Sequence, residues 1–164
     1  MLESGVIEVQ RYKLLIFVAA IVIILDQLTK AVITNYFILH ESIEVTRGLF
    51  NITYIRNPGA AFGIFRGVSE TFRTIFLTGI SFAMMIIIFF VYRNTKGAAS
   101  RIAFSLIAGG AVGNLIDRIR FGEVIDFLDF YIGQYHWPAF NIADSAITVG
   151  VFIAVLFLHR DKGA

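Results

Sequence analysis

No cysteine occurs in the 164 residues, which excludes disulfides, thiolate metal sites and a cysteine nucleophile. Charge is also sparse. Asp, Glu, Lys and Arg together make up 16% of the chain, and the net charge of +2 comes from Lys and Arg scattered through short loops. No dense basic tract is present, so no nucleic-acid partner is expected. Low-complexity tracts are missing as well. The two halves share no motif, which weighs against a transporter built from duplicated bundles. Neither a metal nor a cofactor is expected.

Apolar side chains dominate instead: 57% of residues are hydrophobic and 15% aromatic, too many for an ordinary soluble domain. Four apolar stretches, at about 14–37, 74–92, 102–119 and 142–158, each approach the roughly 20 residues that cross a bilayer as a helix. The expected fold class is therefore a membrane all-α, four-transmembrane-helix bundle, a single domain over residues 1–164. Glu3 and Glu8 precede the first apolar run, which continues past the ~7–15 residues of a signal-peptide core, so it is expected to remain as a span.

Four spans put both termini on one side. Arg11, Lys13, Arg93, Lys96, Arg101, Arg160 and Lys162 then share that side, seven of the fourteen Lys and Arg residues. They crowd short tails and one turn while the other seven are spread over longer segments, and this density places both termini in the cytoplasm.

Two outer segments follow, at about 38–70 and 120–140. In the first, Ile43 and Val45, then Phe50, Ile52 and Tyr54, alternate with polar residues around Thr46-Arg47-Gly48, the pattern of a short hairpin. Asn57-Pro58-Gly59 breaks it, and Ala60 to Phe65 is apolar enough to lie on the membrane surface, with a plain loop as the alternative. The second ends at Trp137-Pro138, an interfacial aromatic and a helix breaker before the last span.

Ionisable residues within or beside spans are costly, so each invites a functional reading. Six qualify: Asp26, Lys30, Asp117, Arg118, Asp126 and Asp144. Asp26 and Lys30 stand four apart, the spacing of a structural ion pair on one helical face, and Lys30 can alternatively snorkel towards headgroups. Gly109 and Gly113 form a small-xxx-small pattern that lets helix backbones approach. Asn114 and Arg118 share the next face of the same helix, where they can hold a peptide carbonyl or another carboxylate.

Asp126 and Asp129 sit among apolar and aromatic neighbours in Val124-Ile125-Asp126-Phe127-Leu128-Asp129-Phe130. Each reads either as a solvated loop acid or as a carboxyl whose pKa rises by partial desolvation. Asn141 and Asp144 suit a capping box at the start of the last span, and the helix dipole there favours a carboxylate anion. Two carboxyls brought together share one proton and act as acid and base, the aspartic-protease arrangement. In that reading Asp126 more often carries the proton, Asp144 is the anion, and Asn114, Arg118 and Asn141 orient the pair. A Ser-Lys dyad of Ser145 and Lys30 is a rival peptidase chemistry. A proton-coupled small transporter is the rival from another class. No Gly-x-Gly-Asp block of a presenilin-type protease occurs.

Five blocks, in order, carry a resemblance: Asp26-Gln27-Leu28-Thr29-Lys30, Asn57-Pro58-Gly59-Ala60-Ala61-Phe62, Gly113-Asn114-Leu115-Ile116-Asp117-Arg118, Val124-Ile125-Asp126-Phe127 and Phe140-Asn141-Ile142-Ala143-Asp144-Ser145. Over nearly its whole length the chain resembles bacterial lipoprotein signal peptidase, also called signal peptidase II; the extension through Gln10 lies outside the likeness. The resemblance implies a multi-pass enzyme of the bacterial cytoplasmic (inner) membrane, with a small β-rich extracytoplasmic cradle and a surface-lying segment. It implies a monomer that meets membrane lipids and lipid-modified prolipoprotein substrates, cutting just before the diacylglyceryl-modified cysteine with an active site near the outer face. It also implies Asp126 and Asp144 as the catalytic pair, with Asp26, Lys30, Asn57, Gly113, Asn114, Arg118 and Asn141 as substrate-binding or supporting positions.

Overall fold

In the computed structural model, residues 2–59 and 67–157 are described, with side chains in the first helix described from Tyr12 onwards. The surface-lying reading of Ala60 to Phe65 therefore falls outside the described residues, as do the last residue of the fourth expected span and the cations Arg160 and Lys162. The elements run α1 (Leu2–Tyr36), β1 (Ser42–Thr46), β2 (Phe50–Asn57), α2 (Glu70–Asn94), α3 (Ala98–Phe121), β3 (Val124–Ile132), β4 (Tyr135–His136) and α4 (Ile142–Phe157).

Local chemistry sets the ends of these elements. Ser69 caps α2, its hydroxyl accepting from Phe72 N at 3.3 Å. Gly122 ends α3 in the left-handed region, φ +74°, with its N–H on Arg118 O at 2.9 Å. Asn141 and Asp144 form the reciprocal box expected at the start of α4: Asp144 N donates to Asn141 Oδ1 at 2.9 Å and Asn141 N to Asp144 Oδ2 at 3.3 Å.

Among the described residues three helical stretches are long and apolar enough to cross a membrane: Tyr12–Tyr36, Glu70–Asn94 and Ala98–Phe121. The described part of α4 has 16 residues, roughly 24 Å at 1.5 Å per residue, short of the ~30 Å hydrocarbon layer. The polarity of the bundle is inverted relative to a soluble protein. Phe17, Ile75, Phe152 and Val155 face outwards, each about two-thirds exposed, while Asp26, Lys30, Asn114, Asp117 and Asn141 are buried. Burial against lipid tails supplies no hydrophobic drive between helices, so close packing and interior polar contacts hold them together.

Glycine makes the packing close. A Cβ on Gly150 of α4 would lie 2.7 Å from Ala103 O and from Ile107 Cγ1 of α3, and one on Gly110 would meet Ala143 O of α4. Gly109 packs against α1 in the same way, its virtual Cβ 2.8 Å from Val22 Cβ. The small-residue pattern thus serves helix packing on two sides of α3.

One end of the bundle carries a four-stranded antiparallel sheet in the order β1-β2-β3-β4. The expected hairpin is β1-β2, turning through Gly48 at φ +74°, with Leu49 N on Thr46 O at 3.0 Å. From the residues alone, 120–140 read as a connecting outer segment, and only the family resemblance implied β structure. The segment is in fact the central partner strand, β3, paired with β2 from Phe50↔Phe130 to Asn57↔Val124. Val124 to Phe127 are all buried, so no inside-outside alternation marks the strand in the sequence. Ile55 and Asp126 are register partners on one face, and Arg56 and Ile125 are partners on the other. That second face packs Tyr54, Ile125 and Phe127 on Ile33 near the end of α1.

The glycine seam predicts a contrast. Gly150→Val should lower stability by about 1–3 kcal/mol through overpacking, whereas Gly79→Ala, with nothing within 4 Å of the added Cβ, should leave it unchanged or slightly raised. Chemical denaturation in detergent micelles measures both.

Candidate active site

The sheet end of the bundle gathers the polar motif residues around one cation. Lys30 Nζ lies 2.8 Å from Asp26 Oδ2 and 2.7 Å from Asp117 Oδ2, and its side chain is only 2% exposed. The ion pair expected from the four-residue spacing is present, and Asp117 of α3 is added to it. Snorkelling is not what Lys30 does, because two carboxylates hold the ammonium inside. Asp26 Oδ1 accepts Ala143 N of α4 at 3.0 Å, and Asp117 Oδ2 accepts Ile125 N of β3 at 3.2 Å. One ion cluster therefore joins α1, α3, α4 and β3.

The third donor of Lys30 sets the next layer. It reaches Asn114 Oδ1 at 3.1 Å. An ammonium only donates, so the oxygen of the Asn114 amide must face Lys30 and its nitrogen must face away. That nitrogen donates to Asp144 Oδ1 at 2.7 Å. Asn141 Nδ2 also donates to Asn114 Oδ1, at 3.2 Å, and to Asp126 Oδ1 at 2.7 Å. On the opposite side of that carboxyl, Asn57 Nδ2 donates to Asp126 Oδ2 at 2.9 Å.

Both candidate carboxyls are thus bound to Asn141, Asp126 through its side chain and Asp144 through its backbone N–H. Asp126 is 1% exposed, which removes the solvated-loop alternative. Its pKa is pushed up to about 7, first by burial and then by the charge of Asp144, against the lowering effect of the amide donors Asn57 and Asn141 and of Lys30. Asp129 is also no free loop acid: it accepts from Asn51 Nδ2 at 2.9 Å and pairs with His136 Nδ1 at 2.8 Å. A cavity of about 540 Å³ opens beside Asp144, lined also by Trp137, Pro138, Phe140, Thr148 and Val149 among others.

Two supporting residues act indirectly. The Arg118 guanidinium hydrogen-bonds neither carboxyl; Ser81 Oγ of α2 takes its Nη1 at 3.3 Å, leaving Arg118 to act on Asp144, Asp117 and Asp126 through charge alone. The bare Cα of Gly113 makes room for the ion cluster, since a Cβ there would lie 2.7 Å from Asp26 Oδ2. Gln27 had no role assigned from the sequence. Its amide nitrogen lies 3.0 Å from Asp117 Oδ1 and 3.2 Å from Asp26 Oδ2, so it bridges the two acids. Its place one residue after Asp26 was the available signal.

The serine alternative finds no geometry. Ser145 Oγ donates to Asn141 O at 2.9 Å, and the donors of Lys30 are used by Asp26, Asp117 and Asn114. Among the described residues no group of His, Cys, Asp and Glu forms a candidate metal site.

Apolar helices with an interior carboxyl pair and its amide donors define a class, a multi-pass membrane protein with the equipment of an aspartic peptidase. The comparisons resolve the class further. The family model described as signal peptidase (SPase) II matches residues 18–160, and the chain belongs to that family of aspartic peptidases. It is 51% identical over 152 residues to the lipoprotein signal peptidase of Syntrophus aciditrophicus, covering 91% of this chain and 94% of that one. Against the lipoprotein signal peptidase of Desulforapulum autotrophicum the identity is 52% over 150 residues, covering 90% and 93%. A solved bacterial membrane enzyme matches with TM-score 0.78 and 37% identity, over 90% of this chain and 88% of that one.

The ion cluster generates a test of its own. Lys30→Met leaves two buried carboxylates without a cation and should cost roughly 3–5 kcal/mol of stability. Adding Asp117→Asn to that variant should cost less than Asp117→Asn does alone, because the two residues share one interaction. Denaturation of the four proteins in a double-mutant cycle measures the coupling.

Proposed function

We propose that the protein removes the signal peptide from diacylglyceryl-modified prolipoproteins, cutting just before the lipidated cysteine, with Asp126 and Asp144 activating a water. The observation that carries this reading is the bridge through Asn141, whose side chain donates to Asp126 and whose backbone donates to Asp144. Asp144, held by Asn114 and the first turn of α4, is the anion that takes a proton from the attacking water. Asp126, with its pKa raised to about 7, carries the shared proton and donates it towards the scissile carbonyl oxygen. As the C–N bond breaks, the proton taken by Asp144 passes to the leaving amine while Asp126 takes a proton back from a hydroxyl of the gem-diol intermediate, so the new carboxyl forms and the pair returns to its single-proton state.

In this reading the chain is one domain over residues 1–164, with α4 as a fourth span, and it works as a monomer in the bacterial cytoplasmic membrane. Both termini are cytoplasmic, as the density of Lys and Arg supports, so the sheet end faces outwards. A dyad at that end suits the substrate, whose acyl chains stay in the bilayer while water reaches the carboxyls from the interface. The cavity beside Asp144, walled by Trp137, Phe140 and Val149, is apolar enough to receive the lipidated end of the scissile segment.

Three outcomes are expected. Asp126→Asn and Asp144→Asn each abolish cleavage while the variants still unfold cooperatively; unchanged turnover in either variant would overturn the dyad. Purified protein cleaves a diacylglyceryl-modified prolipoprotein and leaves the unmodified form intact, read by gel shift and mass spectrometry of the released peptide. Activity falls as pH rises through about 7, because the pair then loses its shared proton. The same shift acts on stability. The folded state holds a proton on Asp126 that the unfolded chain has released, so stability declines between pH ~4 and ~7, and Asp126→Asn removes that part of the slope.

A further inference from the structure

Behind the sheet, on the side away from Asp126, lies a second concavity. It is a polar crevice of about 180 Å³, lined by Gln27, Lys30, Thr34 and Asn35 of α1, by Asp117, Arg120 and Phe121 of α3, and by Ile125 of β3. The acid in its wall is already neutralised, because Asp117 is paired with Lys30 and hydrogen-bonded by Gln27 and Ile125 N. The rim is cationic. Arg120 Cζ stands 4.9 Å from the centroid of the Phe121 ring, and Arg56 Cζ stands 4.9 Å from the same ring. Arg56 is the register partner of Ile125, so its side chain leaves the sheet on the crevice side.

The two guanidiniums are therefore within about one Debye length of each other at 0.1 M salt, ~10 Å. Among the described residues neither has a carboxylate partner: Arg56 Nε donates to Tyr54 Oη at 3.0 Å, and Arg120 makes only its contact with the ring. Two like charges stacked on one aromatic, with no carboxylate partner among the described residues, form half of an anion site, and the planar guanidinium fork suits phosphate oxygens. Asn35 is exposed beside them and adds an amide donor.

What lies next to the crevice identifies the anion. Leu28 and Val32, one turn apart on the α1 face that also carries Asn35, are 60% and 53% exposed. These residues lie on an apolar stretch long enough to cross a membrane, so the surface leading away from the crevice is a lipid-facing one. A cationic, hydrogen-bonding rim above an apolar wall matches an amphiphile with a phosphate head.

We propose that this crevice is a phospholipid site, in which Arg56 and Arg120 hold the phosphodiester of a membrane lipid while its acyl chains lie along Leu28 and Val32. The site is separate from the candidate dyad, since the β2-β3 ladder stands between them: Ile55 and Asp126 project from one face, Arg56 and Ile125 from the other. A lipid bound there would brace the back of the strand that carries Asp126.

The test uses the full chain, purified in detergent, with its unfolding temperature followed as lipid is titrated. Phosphatidylglycerol should raise the unfolding temperature saturably, whereas diacylglycerol, which lacks the phosphate, and inorganic phosphate, which lacks the chains, should not reproduce the shift. Arg120→Gln should weaken the apparent lipid affinity roughly tenfold, the loss expected for one charge-assisted contact. This variant is expected to fold, because the Arg120 side chain is exposed and makes no hydrogen bond among the described residues. Arg56→Gln combined with Arg120→Gln should abolish the shift, and Arg56→Lys with Arg120→Lys should restore part of it. An equal shift with diacylglycerol, a full shift with inorganic phosphate, or an unchanged affinity in Arg120→Gln overturns the proposal.

Discussion

A lysine ammonium buried inside a lipid-facing bundle is tolerable only with negative charge in direct contact, and the sheet end of this protein is organised around that requirement. Asp26 and Asp117 supply the charge, and the remaining lone pairs of these acids tie in Ala143 N at the start of α4 and Ile125 N at the start of β3. The last donor of Lys30 fixes the Asn114 amide, and Asn114 in turn donates to Asp144. The positions of α1, α3, α4 and the central strand are thus mutually dependent through one cation. Gly113 belongs to the same arrangement, because any side chain there would press on Asp26.

The start of α4 shows how a structural device and a candidate chemical one coincide. Asn141 and Asp144 close a reciprocal capping box, which fully explains both residues in helix terms. The box uses only some of the hydrogen-bonding capacity of the two side chains. Asn141 Nδ2 is left to reach Asp126 and Asn114, and Asp144 Oδ1 is left for Asn114. The cap therefore fixes the orientation of Asp144 before any substrate arrives, which reduces the reorganisation needed during reaction.

Strand β3 separates two environments by its pleat. Asp126 points with Asn57 towards α4, and Ile125 points with Arg56 and Tyr54 towards α1 and the end of α3. A one-residue slip of β3 against β2 would exchange its faces, turning Ile125 towards α4 and Asp126 towards α1. The backbone bond from Ile125 N to Asp117 and the packing of Ile125 and Phe127 on Ile33 and Tyr54 oppose such a slip.

Much of this was legible from local pattern. The apolar runs, the Asp26-Lys30 pair, the hairpin around Gly48, the capping box and the small-residue seam all follow from spacings of a few residues, because helix and turn geometry is local. The motif blocks singled out Asp126, Asp144 and their amide neighbours before any fold was known. Tertiary structure decided the rest. Strand β3 shows no alternation because both of its faces are covered by other elements, and Asp117 and Gln27 gain their roles only when α1 and α3 meet. Arg118 shares a helix face with Asn114, yet its hydrogen bond goes to Ser81 on α2, a neighbour that spacing along α3 cannot specify. Spacing along one helix fixes which residues share a face, but which partner that face meets depends on chain folded from elsewhere.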